Sequence, residues 1–192
     1  ALADSKFNIN NLSEARDTQT MLKLLKSNEL TLDVLDAGTT MRFLTSYLSV
    51  TGQKKILTGT ERMQQRPIKI LVEALIELGA NINYLQKEGF PTLEMQGFKN
   101  SDKSILLIRG DISSQYISAL LMIAPLLKNG LTLELTGKVG SKPYIEMTLE
   151  VMKSFGVTSD MRGNRVAIGH QNYVPTEYTI EPDWSAASYW YR

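Results

Sequence analysis

The sequence predicts an α+β fold made of a repeated unit, with buried helices and sheets that face outward. Three observations predict it: helical and strand-like segments are interleaved, the helices have narrow polar stripes, and one set of landmarks recurs along the chain. The chain has 192 residues, of which 43% are hydrophobic and 21% charged. That is enough for one substantial domain with its own core.

Helical periodicity defines five stretches of the chain, and strand-like runs separate them. The predicted helices are Thr18–Lys26, Thr39–Val50, Pro67–Leu78, Ser113–Lys128 and Pro143–Phe155. The predicted strands are Leu30–Leu35, Lys55–Thr58, Ile82–Leu85, Leu93–Gln96, Ser104–Arg109, Leu131–Thr136, Arg165–Ile168 and Tyr178–Glu181. Gly, Asn and Pro occur at the connections, as expected for residues that interrupt regular structure.

The polar stripes of the helices are too narrow for helices on the outside of a sheet. Between residues 68 and 78, Lys69, Glu73 and Glu77 are the only polar side chains, and their i, i+4 spacing places them on one line. Residues 116–127 are almost entirely apolar. Because a helix that is apolar nearly all round is buried, we expect the helices inside and the sheets outside.

A set of landmarks recurs in the same order and indicates a duplicated unit. Asp36, Asp111 and Asp183 each end a strand-like run and open a helix, and they are 75 and then 72 positions apart. The dipeptides Arg66-Pro67 and Lys142-Pro143 follow the first two aspartates after about 30 residues. Each is predicted to open a helix, with Pro near the first position. The chain therefore contains two full copies and the beginning of a third.

Composition excludes several classes of function. Lys and Arg total 21 against 20 for Asp and Glu, so the overall charge indicates neither a nucleic acid nor a membrane as partner. The chain has no cysteine and a single histidine, His170, which excludes disulfides, thiolate metal sites, cysteine nucleophiles and sites built from several imidazoles. No apolar run approaches the roughly 20 residues of a membrane span. We therefore expect a cytoplasmic protein.

Four predicted helix openings are rich in small, hydroxyl or cationic residues. They are Gly38-Thr39-Thr40, Arg66-Pro67, Ser113-Ser114-Gln115 and Ser141-Lys142-Pro143-Tyr144. A helix N-terminus exposes unpaired N–H groups and about half a positive charge, which together with such side chains suits phosphate or carboxylate. Ordinary capping is the alternative for each opening, since Ser and Thr are preferred caps.

Single residues at these openings have two interpretations each. Gly38 is a turn residue or a point of close backbone approach to a ligand, and Arg66 is a solvated cation or a bidentate clamp on an anion. Gln115 belongs to the wet first turn or contacts a substrate, and Tyr144 is core or pairs with a ring hydroxyl. His170, in a polar loop, is interpreted as solvated. No phosphate loop, zinc motif or hydrolase elbow is present.

Five segments, in order along the chain, resemble the enolpyruvyl transferase family. They are Asp36–Arg42, Gln65–Ile68, Gly110–Leu121, Ser141–Ile145 and Glu181–Tyr189. They are similar to the family segments Asn-Ala-Gly-Thr-x-x-Arg, Arg-Pro-Ile, Ser-Ser-Gln-x-x-Ser-Ala-Leu-Leu, Ser-x-Pro-Tyr-Ile and Asp-x-Ser-Ser-Ala-Ser-Tyr. The similarity runs from about Leu12 to Arg192 and favours the branch that acts on shikimate 3-phosphate.

The resemblance implies a fold and a reaction. The fold has two similar lobes of repeated βαβαββ units, with substrates bound between them where helix N-termini converge. Residues 1–181 would form one lobe, and residues 182–192 would begin the return into the second. The reaction transfers the enolpyruvyl group of phosphoenolpyruvate to the 5-hydroxyl of shikimate 3-phosphate and releases phosphate. The resemblance implies no metal or organic cofactor. It also implies a monomeric cytoplasmic enzyme.

The resemblance also implies which residues contact shikimate 3-phosphate. Carried over position by position, Ser113, Ser114 and Ser141 would hold its phosphate. Gln115 and Tyr144 would contact the same substrate. These roles agree with the local chemistry, because a polyanion needs preorganised donors.

For phosphoenolpyruvate, the resemblance implies a backbone N–H of Gly38 and the guanidinium of Arg66, with Gln115 nearby. Asp36 stands where the family usually has Asn. A carboxylate beside anionic substrates would be unfavourable unless it is paired or directed away, so Asp36 is left out of the expected site.

The family's proton-transfer groups do not fall within this chain. Its catalytic Lys, in a Lys-Ser segment, would precede residue 1, and its catalytic Asp with the Lys, Glu and Arg of the other lobe would follow Arg192. The chain also begins without Met and ends inside a predicted apolar helix. We therefore expect a fragment with half of the cleft and no principal catalytic residue. It should bind shikimate 3-phosphate weakly if at all and show no turnover.

Three alternatives remain at this point. The related transferase that acts on a UDP-amino sugar is one, although it typically uses a cysteine general acid. A non-catalytic nucleic-acid module is another, although it should show a basic surface with exposed aromatic residues. The third is a purely structural α+β repeat in which every helix-end Ser and Thr is only a cap.

Overall fold

The computed structural model describes residue 2, residues 8–140, residues 142–182 and residue 190. The helices are α1 Arg16–Leu25, α2 Gly38–Val50, α3 Glu61–Gln64, α4 Lys69–Glu77, α5 Ser114–Ile123 and α6 Lys142–Ser154, with a short 3₁₀ helix Ala124–Leu126 after α5. The strands are β1 Ile9–Asn10, β2 Thr31–Asp33, β3 Lys55–Thr58, β4 Ala80–Tyr84, β5 Leu93–Phe98, β6 Ile105–Arg109, β7 Leu131–Thr136, β8 Asp160–Arg162, β9 Arg165–Ile168 and β10 Tyr178–Thr179.

Two four-stranded sheets have the same topology, which confirms the predicted duplication. Their strand orders are β2-β3-β5-β4 and β6-β7-β9-β8. In each sheet the first two strands are parallel and the remaining pairs are antiparallel. Strands β1 and β10 form a third, parallel pair. Two βαβαββ units are therefore present in the described residues.

The helices form the inner layer and the sheets the outer ones, as predicted. Leu106 and Ile108 of β6 point into the core, whereas Ile105, Leu107 and Arg109 of the same strand are exposed. This alternation is typical of a sheet with one covered face. Helices α2 and α5 pack against each other between the sheets, and most of their residues are buried. Helices α1 and α6 each keep one face exposed.

Two of the buried hydroxyl groups in α2 are satisfied by the helix itself. Thr45 donates its hydroxyl to the carbonyl of Met41 at 2.7 Å, and Ser49 donates to the carbonyl of Thr45 at 2.7 Å. Both side chains are almost completely buried. A buried hydroxyl without a partner would be costly, so these i−4 bonds allow a partly polar helix to lie in the inner layer.

Two predicted helix boundaries are wrong for identifiable reasons. Helix α4 begins at Lys69 rather than Pro67, because the Pro67 carbonyl accepts hydrogen bonds from Arg42 and Tyr116 instead of from its own helix. Helix α5 ends at Ile123 rather than Lys128. Pro125 lacks the N–H that would continue the α-helical pattern, so the chain turns through the 3₁₀ helix.

Three elements were not predicted from the sequence: β1, α3 and β8. Strands β8 and β9 form a hairpin in which Arg162 faces Arg165 across a two-residue loop. Gly163 in that loop has a φ of 59°, which suits a glycine. The Gly163-Asn164 pair was therefore a usable hairpin signal. The predicted helix opening at Asp183 lies outside the described residues.

Two further observations concern the described part of the chain. None of its helices combines the length and the apolar character needed to cross a membrane. His170 is exposed, and its Nδ1 atom lies 3.0 Å from the carbonyl oxygen of Leu127.

Candidate functional site

A cleft of about 660 Å³ lies where the N-terminal ends of three helices meet. Its polar end is lined by first-turn residues of α2, α5 and α6 and by the segment that precedes α4. These residues are Thr39, Arg66, Ser113, Ser114, Gln115 and Tyr144. The two repeated units contribute to the same cleft, because α2 and Arg66 belong to the first unit and α5 and α6 to the second.

The residues singled out from the sequence are largely brought together. Arg66, Ser113, Ser114, Gln115 and Tyr144 line the cleft directly. Although they are separated by up to 78 positions in the sequence, the duplicated topology places the ends of their elements side by side. Their individual roles remain predictions.

The remaining two predicted residues need separate description. Gly38 is the buried first residue of α2 and lies behind Arg66. Ser141 lies outside the described residues. Its neighbour Lys142 begins α6, whose third residue, Tyr144, reaches the cleft.

Gly38 and Arg66 are in close contact, and the contact depends on the missing side chain. A Cβ atom at position 38 would lie 2.4 Å from Nη1 and 2.7 Å from Nη2 of Arg66. No real Cβ makes contacts this short, so the guanidinium occupies space that only glycine leaves free. Among the described residues, Arg66 has no carboxylate within ion-pair distance. Its charge is therefore available to an anion.

Gln115 connects the two units at the cleft. Its Nε2 atom donates to Oγ1 of Thr39 at 2.8 Å, which joins the first turn of α5 to the first turn of α2. Its backbone N–H donates to Oγ of Ser113 at 3.4 Å, so Ser113 caps α5. Ser113 is therefore the N-cap of α5, and it also lines the cleft.

Helices α5 and α6 are joined by a second hydroxyl pair. Ser118 and Thr148 approach each other at 2.8 Å, and Thr148 donates to the carbonyl of Tyr144 at 2.7 Å. Because that hydroxyl proton goes to Tyr144, Ser118 is the donor in the pair with Thr148. These hydrogen bonds fix the first turn of α6 against α5.

Three polar residues of the cleft lining, Thr39, Ser118 and Thr148, were not among the individual site residues expected from the sequence, although Thr39 belongs to one of the four helix openings named there. Each had a usable signal. Thr39 follows Gly38 in the same helix opening, Ser118 lies four positions after Ser114, and Thr148 lies four positions after Tyr144. Side chains at i and i+4 share a helix face.

The polar end of the cleft favours anions. None of the described residues that line it is acidic. Arg66 supplies a full positive charge, and the first turns of α2, α5 and α6 add N–H groups that have no partner within their helices. Arg42, a buried residue of α2, adds a second cation behind the cleft. Burial lowers the pKa of Arg42, the contact with Tyr116 opposes that shift, and the charge of Arg66 adds a smaller lowering effect.

The two described aspartates of the repeat, Asp36 and Asp111, are paired outside the cleft lining. The exposed carboxylate of Asp36 accepts a hydrogen bond from the hydroxyl of Thr60. Asp111 accepts from Nε and Nη2 of Arg109 at 2.9 and 2.6 Å. These bonds lower the pKa of the Asp111 carboxyl. Leaving Asp36 out of the expected site agrees with this pairing.

The other end of the cleft is apolar. Phe43, Met122, Val151 and Met152 line it, and the same four residues also line an adjoining apolar groove of about 270 Å³. The cleft therefore offers donors and positive charge at one end and hydrocarbon at the other. No described group of three or more His, Asp or Glu side chains could hold a metal ion.

The family model described as EPSP synthase (3-phosphoshikimate 1-carboxyvinyltransferase) matches residues 23–192. A 3-phosphoshikimate 1-carboxyvinyltransferase from Bacteroides fragilis strain YCH46 is 53% identical over 185 residues, which are 96% of this chain and 45% of the relative. One from Actinobacillus pleuropneumoniae serotype 5b is 37% identical and covers 98% of this chain and 51% of the relative.

Solved structures agree at the level of the fold. An EPSP synthase from Acinetobacter baumannii superposes with a TM-score of 0.82 at 20% identity, covering 98% of this chain and 48% of that one. The chain thus spans about half the length of the curated relatives it matches. The match over residues 23–192 and the resemblance in the sequence motifs agree. The chain therefore belongs to the EPSP synthase family, that of the 3-phosphoshikimate 1-carboxyvinyltransferases.

Proposed function

We propose that the complete protein transfers the enolpyruvyl group of phosphoenolpyruvate to the 5-hydroxyl of shikimate 3-phosphate, with release of phosphate. The observation that carries the proposal is the convergence of three helix N-termini and Arg66 on a cleft with no acidic residue among its described lining. Both substrates are polyanions, and preorganised donors at helix ends suit such ligands. Family membership supports the same reaction.

Shikimate 3-phosphate binds on the second unit in this proposal. Ser113 and Ser114 at the start of α5, together with Ser141, hold its phosphate through hydroxyl and backbone N–H donors. Gln115 and Tyr144 contact the same substrate, and the polar lining formed by α5 and α6 supports this assignment. A hydroxylated ring suits Gln115, because a primary amide both donates and accepts.

Phosphoenolpyruvate binds on the first unit. The backbone N–H of Gly38 and the guanidinium of Arg66 hold it, and their contact supports a joint role. Gln115 lies between the two substrates, since its side chain already reaches Thr39 in the first turn of α2. Its carbonyl oxygen remains free to accept from a substrate hydroxyl, because the bond to Thr39 uses only an N–H donor.

The reaction forms a bond between the 5-hydroxyl oxygen, which loses its proton, and the substituted vinyl carbon of phosphoenolpyruvate, while the methylene carbon of the double bond takes up a proton. The tetrahedral intermediate then loses phosphate and a proton from the resulting methyl group, which restores the double bond. Donors at the cleft stabilise the charge on the leaving phosphate, which is the kind of electrostatic effect that contributes most in many enzymes. In this proposal the groups that move protons belong to the rest of the protein, since the described polar lining contains no carboxylate.

The remaining parts of the proposal concern organisation. Residues 1–181 form one lobe, and residues 182–192 begin the connection to a second. The complete protein acts as a cytoplasmic monomer on small molecules, without nucleic acid, membrane or cofactor. The near balance of 21 basic and 20 acidic residues supports the absence of a nucleic-acid partner.

The test uses the complete protein from the source gene. Calorimetry should detect binding of shikimate 3-phosphate, and phosphate should be released when phosphoenolpyruvate is added. Binding of UDP-N-acetylglucosamine in place of shikimate 3-phosphate would overturn the proposal in favour of the related transferase. A salt-dependent RNA complex without phosphate release would overturn it in favour of a nucleic-acid module.

A variant pair connects the test to the site. Ser114→Ala should weaken shikimate 3-phosphate binding by roughly tenfold, because a hydrogen bond to a charged group contributes about 1.5–3 kcal/mol. Ser159→Ala is the matched control, since Ser159 is exposed and lines a different, outer groove beside β9. Equal affinities for the two variants would remove Ser114 from the proposed site.

A further inference from the structure

Arg42 is a nearly fully buried cation directly behind the cleft. Its side chain is 4% exposed, and it does not line the cleft. No described carboxylate lies within ion-pair distance of it. Burial of an unpaired charge costs free energy. The contacts of the Arg42 guanidinium indicate a role that accounts for this cost.

The guanidinium bridges two backbone segments of the candidate site. Nη1 donates to the carbonyl of Gly38 at 3.0 Å, and Nη2 donates to the carbonyl of Pro67 at 3.4 Å. The first carbonyl belongs to the residue that lies against Arg66. The second belongs to the residue that follows Arg66 in the chain. The planar fork of one arginine thus sets the spacing between these two segments.

Tyr116 extends this connection to the second unit. Its hydroxyl donates to the same Pro67 carbonyl that accepts from Arg42. Its ring lies under the guanidinium, 5.8 Å from the ring centroid to the Cζ atom of Arg42, a distance at which a cation–π attraction acts. Tyr116 follows Gln115 in the first turn of α5, so the group formed by Arg42, Pro67 and Tyr116 joins three segments of the site.

The positive charge of Arg42 also favours an anion at this end of the cleft. Arginine does not lose its proton in proteins, and carbonyl oxygens and a tyrosine ring do not neutralise it. A fixed positive charge therefore remains behind Gly38. Arg42 and Arg66 repel each other, and an anion bound in the cleft offsets this repulsion because it attracts both cations. Burial reduces the screening of this charge by water.

From this arrangement we propose that Arg42 is a positioning residue for the phosphoenolpyruvate side of the site. It holds the N–H groups at the start of α2 and the Arg66 guanidinium at the separation that an anion requires, and it adds a buried positive charge. The inference rests on the proposed function. Arg42 acts mainly on the phosphoenolpyruvate side, because both of its hydrogen bonds to backbone carbonyls go to the segments that carry Gly38 and Arg66, whereas its contact with α5 is to Tyr116, which does not line the cleft.

The experiment uses the complete protein and three variants. Arg42→Lys keeps the charge and loses the two-carbonyl fork, Arg42→Met loses both, and Tyr116→Phe loses one bond to Pro67 while keeping the ring. The KM for phosphoenolpyruvate should rise by about tenfold in Arg42→Lys and by more in Arg42→Met. The rise in Tyr116→Phe should be smaller. The KM for shikimate 3-phosphate should change by less than about threefold in all three.

Arg165→Lys removes the guanidinium of an exposed arginine on β9 and should leave both KM values unchanged. Equal increases in the two KM values, or no increase, would refute the positioning role. If Arg42→Met does not fold, the KM values of Arg42→Lys and Tyr116→Phe still test the positioning role. A wild-type protein that binds neither substrate refutes the proposed function instead, and the inference fails with it.

Discussion

At the scale of single residues, the candidate site depends on the lack of a side chain at Gly38. Gly38 has no φ value that demands glycine, since its backbone lies in the first turn of an ordinary helix. Its importance is spatial, because the guanidinium of Arg66 fills the volume that a Cβ atom would occupy. A small change at position 38 is therefore transmitted directly to the exposed cation of the cleft.

We predict that Gly38→Ala weakens phosphoenolpyruvate binding by roughly tenfold, because the methyl group displaces the Arg66 guanidinium and a charge-assisted hydrogen bond is lost. Arg66 is flexible, so the protein should still fold. The KM for each substrate, measured in the complete protein, checks the prediction. Gly169→Ala is the control, because a Cβ atom there meets no atom within 4 Å. An unchanged KM for phosphoenolpyruvate would contradict the expected displacement.

A second prediction concerns the Asp111 carboxyl before α5. The hydrogen bonds from Arg109 lower its pKa, so it should titrate below the unfolded-state value of about 3.9. Its contribution to stability is then present above pH 3.9 and is lost as the pH falls through the lower folded-state pKa. Carbon-detected NMR of the carboxyl measures the midpoint. Arg109→Met should raise that midpoint, and a wild-type midpoint at or above 3.9 would show that the pair does not persist in solution.

At the scale of elements, the inner position of α5 explains its sequence. Its residues are apolar on nearly all sides because it packs against α2, α4 and α6 and lies between two sheets. The narrow polar stripe was therefore a correct signal of burial. Helix α6 has a similar length and keeps an exposed face that includes Tyr144 and Met147, because the cleft lies beside it.

The inner position of α5 leads to a stability prediction. Leu120→Ala should lower the free energy of unfolding by about 2–5 kcal/mol, since Leu120 is 0% exposed and its loss leaves a cavity. Leu107→Ala is the matched control, because Leu107 lies on the outer face of β6 and is 69% exposed. Its cost should remain below about 1 kcal/mol. Urea unfolding measures both variants, and similar costs would contradict the layered arrangement.

Element boundaries show where local rules are insufficient. Pro67 satisfies the preference of proline for the first turn of a helix, and yet α4 begins two residues later. The cause is the donor pair from Arg42 and Tyr116, which lie 25 and 49 positions away in the chain. A residue pattern around position 67 contains no information about these donors, so the boundary was not predictable from it.

At the scale of the whole molecule, duplication creates the site. The two units are related by the same strand order, and their first helices, α2 and α5, pack against each other. Equivalent helix ends are thus brought to the same region, where Gln115 of one unit bonds to Thr39 of the other. The first unit alone would present the end of α2 with Arg66, and the second unit the ends of α5 and α6, whereas the two units together form a cleft with donors on several sides.

This arrangement predicts a protection pattern across both units. In the complete protein, saturation with shikimate 3-phosphate and phosphoenolpyruvate should slow amide exchange at the first turns of α2, α5 and α6. Ligand binding stabilises the bound form by about 2.7 kcal/mol at a concentration of 100 times Kd. The outer strands β4 and β8 serve as the internal control and should be unchanged. Hydrogen exchange with mass spectrometry measures the pattern, and protection confined to one unit would contradict a shared site.

The sequence by itself determined the fold class, the inner position of the helices and the duplication. Periodicity, polar-stripe width and repeated landmarks are local or strictly ordered properties, and they remain readable without coordinates. The sequence also indicated the helix openings that carry Gly38, Arg66 and Ser113 to Gln115. It could not indicate their mutual contacts, because hydrogen bonds and guanidinium packing depend on distances between elements.

Only the tertiary structure decided how those openings combine. It placed Arg66 in the space left by Gly38, joined Gln115 to Thr39, and buried Arg42 behind both. In the sequence, Arg42 is the only charged residue of α2, and a charged side chain on a helix ordinarily indicates a solvated face. Its burial follows from the packing of α2 between two sheets, where backbone carbonyls and a tyrosine ring replace water around the charge.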